Sequence, residues 1–155
     1  MARYVVSIGQ TAVATSPGDL IEMIGLGSCA GIFISVPGKI AVAAHSLLAQ
    51  PREGAAPEQP GKYVATAVPF LLEELAKAGV ARARCKAWVV GGAQMFTFGG
   101  SSDSAAIGER NTDLAISLLR RNGFRPDAAH VGGVSARRAT LDFDTGEFTS
   151  SVGKG

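Results

Sequence analysis

The sequence predicts an α+β fold, an α/β sandwich of mostly antiparallel β-sheets covered by two main helices, and three observations carry that reading. Short β-like runs separated by glycine-rich turns dominate the chain. Two longer segments carry leucines at helical spacing. An apolar fraction of 46% over 155 residues suffices for one hydrophobic core, so residues 1–149 are read as one domain.

The elements follow in order. Residues 4–8 and 11–15 flank Gly9-Gln10 and read as a first hairpin; residues 30–36 and 40–45 face each other across Pro37-Gly38. Pro51, Pro57 and Pro60 mark residues 50–61 as a surface loop. Residues 63–78 carry Leu71, Leu72, Leu75 and Ala76 at helical spacing, and Gly79 sits where a helix ends. Pro69 inside that segment should kink the helix or mark a new first turn. Residues 86–90 read as a strand running into Gly91-Gly92, and residues 99–106 as a polar loop. A second helix over residues 111–122 starts with Asn111 as its N-cap and stops at Gly123. Residues 128–131 run into Gly132-Gly133, and 138–143 and 147–150 bracket the turn Asp144-Thr145-Gly146. Residues 150–155 have little to bury and should fray.

Composition excludes several classes of function. Charged residues make up only 18%, too few for a disordered chain. The net charge of +2 comes without a clustered basic footprint, so nucleic acid is not indicated. The most apolar stretch, residues 24–36, is interrupted by Gly25, Gly27 and Gly31, which argues against membrane insertion. No secretory signal follows Met1, and two cysteines do not make a disulfide framework. A cytoplasmic protein with reduced thiols is the expectation.

The chemistry concentrates at one of those thiols. Cys29 follows Gly25-Leu26-Gly27-Ser28, and glycines before a cysteine let free N–H groups point at a developing oxyanion. His45, one of two histidines, ends the strand hairpinned to the one that Cys29 begins. A nearby imidazole can activate a thiol, so the pair is a minimal nucleophile and base. Strand pairing tests the idea. A two-residue loop pairs Val36 with Lys39 and turns His45 to the face opposite Cys29, whereas a three-residue loop, or a bulge, can set His45 directly across from Cys29. The bland alternative is an inert buried thiol, and it is the reading taken for Cys85. Gly91-Gly92-Ala93-Gln94-Met95 lacks the residues of a phosphate loop and reads as a tight turn with close backbone packing. Arg110 and Asn111 belong either to a helix entry or to a substrate-facing loop, and His130 is either a strand-end residue or a site member.

Gly25-Leu26-Gly27-Ser28-Cys29, Ala44-His45, Gly61-Lys62-Tyr63, Gly91-Gly92-Ala93-Gln94-Met95, Ile107-Gly108-Glu109-Arg110-Asn111 and Gly132-Gly133 occur in one order. That series resembles the chemoreceptor glutamine deamidase family, CheD, over nearly the whole chain. The resemblance implies an α/β sandwich and hydrolysis of glutamine side chains to glutamate on the cytoplasmic helices of bacterial chemoreceptors. It implies Cys29 as nucleophile and His45 as base, with Ser28 and Gly27 as oxyanion or orienting positions and no metal or organic cofactor. It also implies a partner, the phosphatase CheC. Two departures stand out. The family places a Thr that orients the His six residues before the nucleophile, where this chain has Met23, and commonly an Asp where this chain has His130. A backbone carbonyl or Ser28 could take over the orienting role; without a substitute the chain is slow, or serves as an interaction module that binds receptors or CheC.

Overall fold

A computed structural model of the chain describes residues 1–51, 59–95 and 103–152, with the side chains of residues 103–106 left aside. Nine strands form two sheets: β1 (Arg3–Val5), β2 (Thr11–Ala14), β3 (Leu20–Leu26), β4 (Ala30–Val36), β5 (Ile40–Ser46), β6 (Lys86–Gly91), β7 (Asp127–Val131), β8 (Arg137–Asp142) and β9 (Phe148–Val152). The described helices are α1 (Val64–Lys77) and α2 (Asp103–Arg121). One sheet runs β1-β3-β8-β9 and the other β2-β5-β4-β6-β7. The expected α+β class holds, with both sheets mixed: β1 pairs parallel to β3 and β6 to β7, and the other pairings are antiparallel.

Patterning explains the layers. On β4 and β5 the even-numbered residues Ala30, Ile32, Ile34, Val42 and Ala44 pack under α1 and α2, against Val64, Val68, Leu71 and Leu119. The odd-numbered Phe33, Ala41 and Ala43 pack against Ile21, Met23, Leu26, Ala139 and Leu141 of the smaller sheet. Covered on both faces, β4 and β5 are buried throughout, which is why their sequence is apolar apart from Ser35, His45 and Ser46. Trp88 stacks on Phe148 at 5.0 Å and Phe33 meets the same ring edge-on at 5.2 Å, filling the inter-sheet layer away from the site.

Several expectations change. Residues 4–8 and 11–15 are not a hairpin: β1 joins the smaller sheet and β2 the larger. Between them the chain crosses from one layer to the other through a turn closed by Gln10 N–H on the Ser7 carbonyl at 2.9 Å, with Gly9 at φ +85°. β3 carries a bulge between Met23 and Leu26, with Gly25 at φ +72°; the extra residue turns Leu26 inward and breaks the alternation that would announce a strand. Helix α1 passes through Pro69, which lies on its exposed face, where water can satisfy the carbonyl freed by the missing N–H. Helix α2 begins at Asp103, so Asn111 lies in its interior and is not an N-cap. Of the expected loops, residues 52–58 and 99–102 lie outside the described residues, as do residues 153–155; Ser150 to Val152 do not fray but pair in β9.

Gly91 and Gly92 form the expected tight turn, both at positive φ, and Gly92 N–H donates to the Cys29 carbonyl at 2.9 Å. A Cβ on Gly91 would sit 2.2 Å from that carbonyl oxygen at φ +103°, whereas one on Gly79, at φ +70°, meets nothing within 4 Å. Gly79→Ala should therefore cost only backbone strain, about 1 kcal/mol in urea unfolding. Gly91→Ala adds an overlap that backbone must yield to, and should cost well above about 2 kcal/mol.

Candidate active site

The β4–β5 hairpin is where the sequence argument can be checked. Val36 pairs with Ile40, leaving the three-residue loop Pro37-Gly38-Lys39, and Gly31 lies directly opposite His45. Cys29, one residue before β4, is thus diagonal to His45 rather than directly across from it: the pairing runs two residues out of the expected register. A shift of two preserves the face, so both side chains point into the inter-sheet layer. Diagonal neighbours of this kind lie about 7–8 Å apart at the backbone, within reach of a long ring. Gly31 leaves the space between them clear of a side chain of its own. A Cβ there would lie 2.9 Å from Val90 Cγ1 and 3.1 Å from both Leu26 Cδ1 and Met23 Sδ.

His45 is held from three sides by the crossing segment between β1 and β2. Its backbone carbonyl accepts from Gly9 N–H at 2.7 Å, and its N–H donates to the Gln10 carbonyl at 3.1 Å. Its ring Nδ1 lies 2.9 Å from the Val6 carbonyl oxygen. A carbonyl can only accept, so Nδ1 carries the proton and Nε2 is left as the ring's acceptor. Nε2 is buried and has no hydrogen-bond partner among the described residues. The Pro60–Lys62 turn supports this arrangement from outside: Gly61 packs with its Cα side against the carbonyls of Gly9 and Gln10, and its own carbonyl accepts from Ser46 Oγ at 2.8 Å. Val6 carries no sequence signal for this role, because the acceptor is main chain.

The segment Gly27-Ser28-Cys29 carries the chain from the smaller sheet to the larger. Its three carbonyls are each occupied at 2.9 Å, Gly27 by Ala93 N–H, Ser28 by Asn111 Nδ2 and Cys29 by Gly92 N–H. Among the described residues, no acceptor from another residue engages the N–H of Ser28 or Cys29. Met95 lies over Gly27, its Cγ 3.1 Å from where a Cβ would be. Cys29 itself is only 5% exposed.

Burial sets the charge state of the pair. It pushes the Cys29 thiol up, against a smaller opposite effect of its own backbone N–H, and pushes the His45 imidazole down, against the Val6 carbonyl. Both effects favour the uncharged forms, so the resting pair is a thiol beside a neutral imidazole.

The remaining residues singled out by sequence are spread more widely. Met23 is fully buried beside Gly31, with no hydroxyl to offer the ring. Exposed Arg110 and buried Asn111 line a groove of about 580 Å³ with Leu48, Ala49 and Leu114, on the helix side of the larger sheet. His130 shares a row with His45 through Gly31 and Val90, three strand spacings or about 14 Å away, and its ring lies 6.1 Å from Phe148. Half-buried Cys85 packs at the edge of the helix-side core.

Because the folded ring resists protonation, the unfolded chain takes up a proton first as pH falls below 6.5. Stability tied to His45 is therefore complete above that pH and is lost below it, by up to about 1.4 kcal/mol per pH unit. His45→Gln should flatten the acid limb of a stability–pH curve measured by urea unfolding; an unchanged slope would contradict the neutral, buried ring.

Comparison with known proteins identifies relatives of this chain. The family model described as "CheD chemotactic sensory transduction" matches residues 47–151, downstream of both Cys29 and His45. Relatives extend further. A probable chemoreceptor glutamine deamidase CheD of Desulfitobacterium hafniense is 38% identical over 147 residues, covering 93% of this chain and 91% of its own. The chemoreceptor glutamine deamidase CheD of Thermotoga maritima is 37% identical, covering 94% and 89%. A probable CheD of Methanococcus vannielii is 38% identical, covering 96% and 94%. Coverage at this level takes in Cys29 and His45, which lie well inside the chain. On this evidence the chain belongs to the CheD family.

Proposed function

We infer that this chain hydrolyses glutamine side-chain amides of chemoreceptors to glutamate, with Cys29 as nucleophile and His45 as general base and acid. The observation that carries the reading is the buried, unpartnered Nε2 of His45, on the face of the sheet that Cys29 also occupies. Such an atom costs stability, and a catalytic task is one reason for a fold to keep it. The reading is supported by the relatives, which are named as chemoreceptor glutamine deamidases, one of them a probable one.

The steps follow from the residues. As Cys29 Sγ attacks the carboxamide carbon, its proton moves to His45 Nε2 and the carbonyl electrons move onto oxygen. The N–H groups of Cys29 and Ser28 face that oxyanion. Collapse expels the nitrogen, which takes the Nε2 proton and leaves as ammonia, giving a thioester. Nε2 then accepts a proton from water; the hydroxide adds to the thioester and the thiolate leaves, regaining the proton. Since burial keeps the resting pair neutral, attack and proton transfer are coupled and need no preformed ion pair. The Val6 carbonyl supplies the orientation that the family takes from Thr, which answers the substitution at Met23.

Two free cysteines fit a reducing cytoplasm, and among the described residues no helix is long and apolar enough to cross a membrane. The family relationship makes CheC a partner to test by pull-down.

Incubation with a chemoreceptor cytoplasmic fragment should convert specific glutamines to glutamate, read as a mass increase of one unit on mapped peptides. Cys29→Ala and His45→Ala should each lower the rate by about 10³-fold or more while leaving receptor binding intact. Binding without conversion by the unaltered chain would favour an interaction module instead. Met23→Thr separates the orienting groups: with Val6 in that role, kcat should stay within about twofold while stability falls by about 2–4 kcal/mol from the cavity and buried hydroxyl. A large rise in kcat would show that His45 lacks an orienting partner.

A further inference from the structure

We propose that Asn111 is a positioning residue that locks the Ser28–Cys29 peptide and closes the open end of the β4–β5 hairpin, thereby aiming the oxyanion-binding N–H of Cys29. This rests on the deamidase reading above and assigns a third side chain to it.

Asn111 lies mid-helix in α2 and is 1% exposed. Its single amide nitrogen donates twice at 2.9 Å, to the Ser28 carbonyl and to the Leu47 carbonyl. Both N–H groups are thus spent inside the protein, and the amide has no donor left to offer a substrate. The two acceptors are not arbitrary. The last pair of the β4–β5 ladder is Ala30 with Ser46, and beyond it the strands would be free to splay. Ser28 and Leu47 flank that end, one residue before Cys29 and two after His45. One side chain on a helix behind the sheet therefore sets the separation of the segments that carry nucleophile and base.

The bond also sets an orientation. A trans peptide holds its C=O and N–H on opposite sides. Drawing the Ser28 carbonyl toward α2 sends the Cys29 N–H away from the helix layer, toward the face where Sγ and His45 lie. The neighbouring carbonyls of Gly27 and Cys29 are pinned by Ala93 and Gly92 main chain, which truncating a side chain does not remove. Asn111 is the one side-chain anchor among these three, and so the one that a change of side chain alone can switch off.

The test compares Asn111→Asp, which keeps the shape but replaces the donating amide nitrogen by oxygen, with Asn111→Ser, which keeps one hydroxyl donor on a shorter side chain. Conversion of a receptor cytoplasmic fragment gives kcat and KM, alkylation of Cys29 by iodoacetamide reports thiol access, and circular dichroism reports folding. Alkylation forms no oxyanion, so a positioning role predicts a split. Asn111→Asp should lose about 100-fold in kcat with KM within about twofold and alkylation unchanged. Asn111→Ser should fall between it and the unaltered chain, and carries the test alone if the Asp variant does not fold. A rise in KM at constant kcat would overturn the proposal in favour of a substrate contact. A kcat loss that only tracks the unfolded fraction, or parallel loss of alkylation, would overturn it in favour of plain structural support. Failure of the unaltered chain to convert any glutamine, with Cys29 alkylating normally, would instead overturn the deamidase reading and this inference with it.

Discussion

The hydrogen bond from His45 Nδ1 to the Val6 carbonyl is the interaction on which the site depends. In itself such a bond adds only about 0.5–1.5 kcal/mol, but a buried ring donor left without it would cost about 1–3 kcal/mol. Its larger effect is chemical. It chooses the tautomer, and by choosing it leaves Nε2 as a buried acceptor with no partner among the described residues. Everything around Val6 serves to bring that carbonyl to the ring: the crossing from β1 to β2, the Gly9 turn, and the backbone bonds of Gly9 and Gln10 to His45 itself. Gly61, packed on the same two carbonyls, ties the turn before α1 to this cradle.

A second constraint comes from glycine used as absence. Gly31, opposite His45, stands where a side chain would collide with Val90, Leu26 and Met23, and Gly91 where one would collide with the Cys29 carbonyl. The two glycines let β4 and β6 come together next to Cys29. In the paired carbonyls of Gly27, Ser28 and Cys29 the same region spends its acceptors, while among the described residues no other residue accepts from the N–H groups of Ser28 and Cys29. Burial favours the neutral form of both the Cys29 thiol and the His45 imidazole. Reactivity then depends on placement rather than on a stored charge pair.

Much of this was legible because strand parity is coarse. Which face Cys29 and His45 share depends only on whether the hairpin loop is odd or even, so the shared face survives a pairing two residues out of the expected register. Helix α1 and its Gly79 stop follow from periodicity, and the Gly91-Gly92 turn from its residues. What was not legible involves main chain or long reach. Val6 acts through a carbonyl that every residue type possesses. The β1–β2 segment looks like a hairpin because a turn between two apolar runs has the same local chemistry whether the runs pair together or join different sheets. The Gly25 bulge erases the alternation of β3. Asn111, read as a cap from its place before an apolar run, is joined to residues 83 and 64 positions away by contacts that local pattern cannot encode.

The most direct test of the account is the protonation of His45 in the resting protein, read by ¹⁵N NMR of histidine-labelled material. Only two histidines are present, so a His130→Gln variant assigns the signals. The account predicts a neutral ring near pH 7, with Nδ1 protonated and Nε2 bare. An imidazolium, or a ring protonated at Nε2, would contradict it.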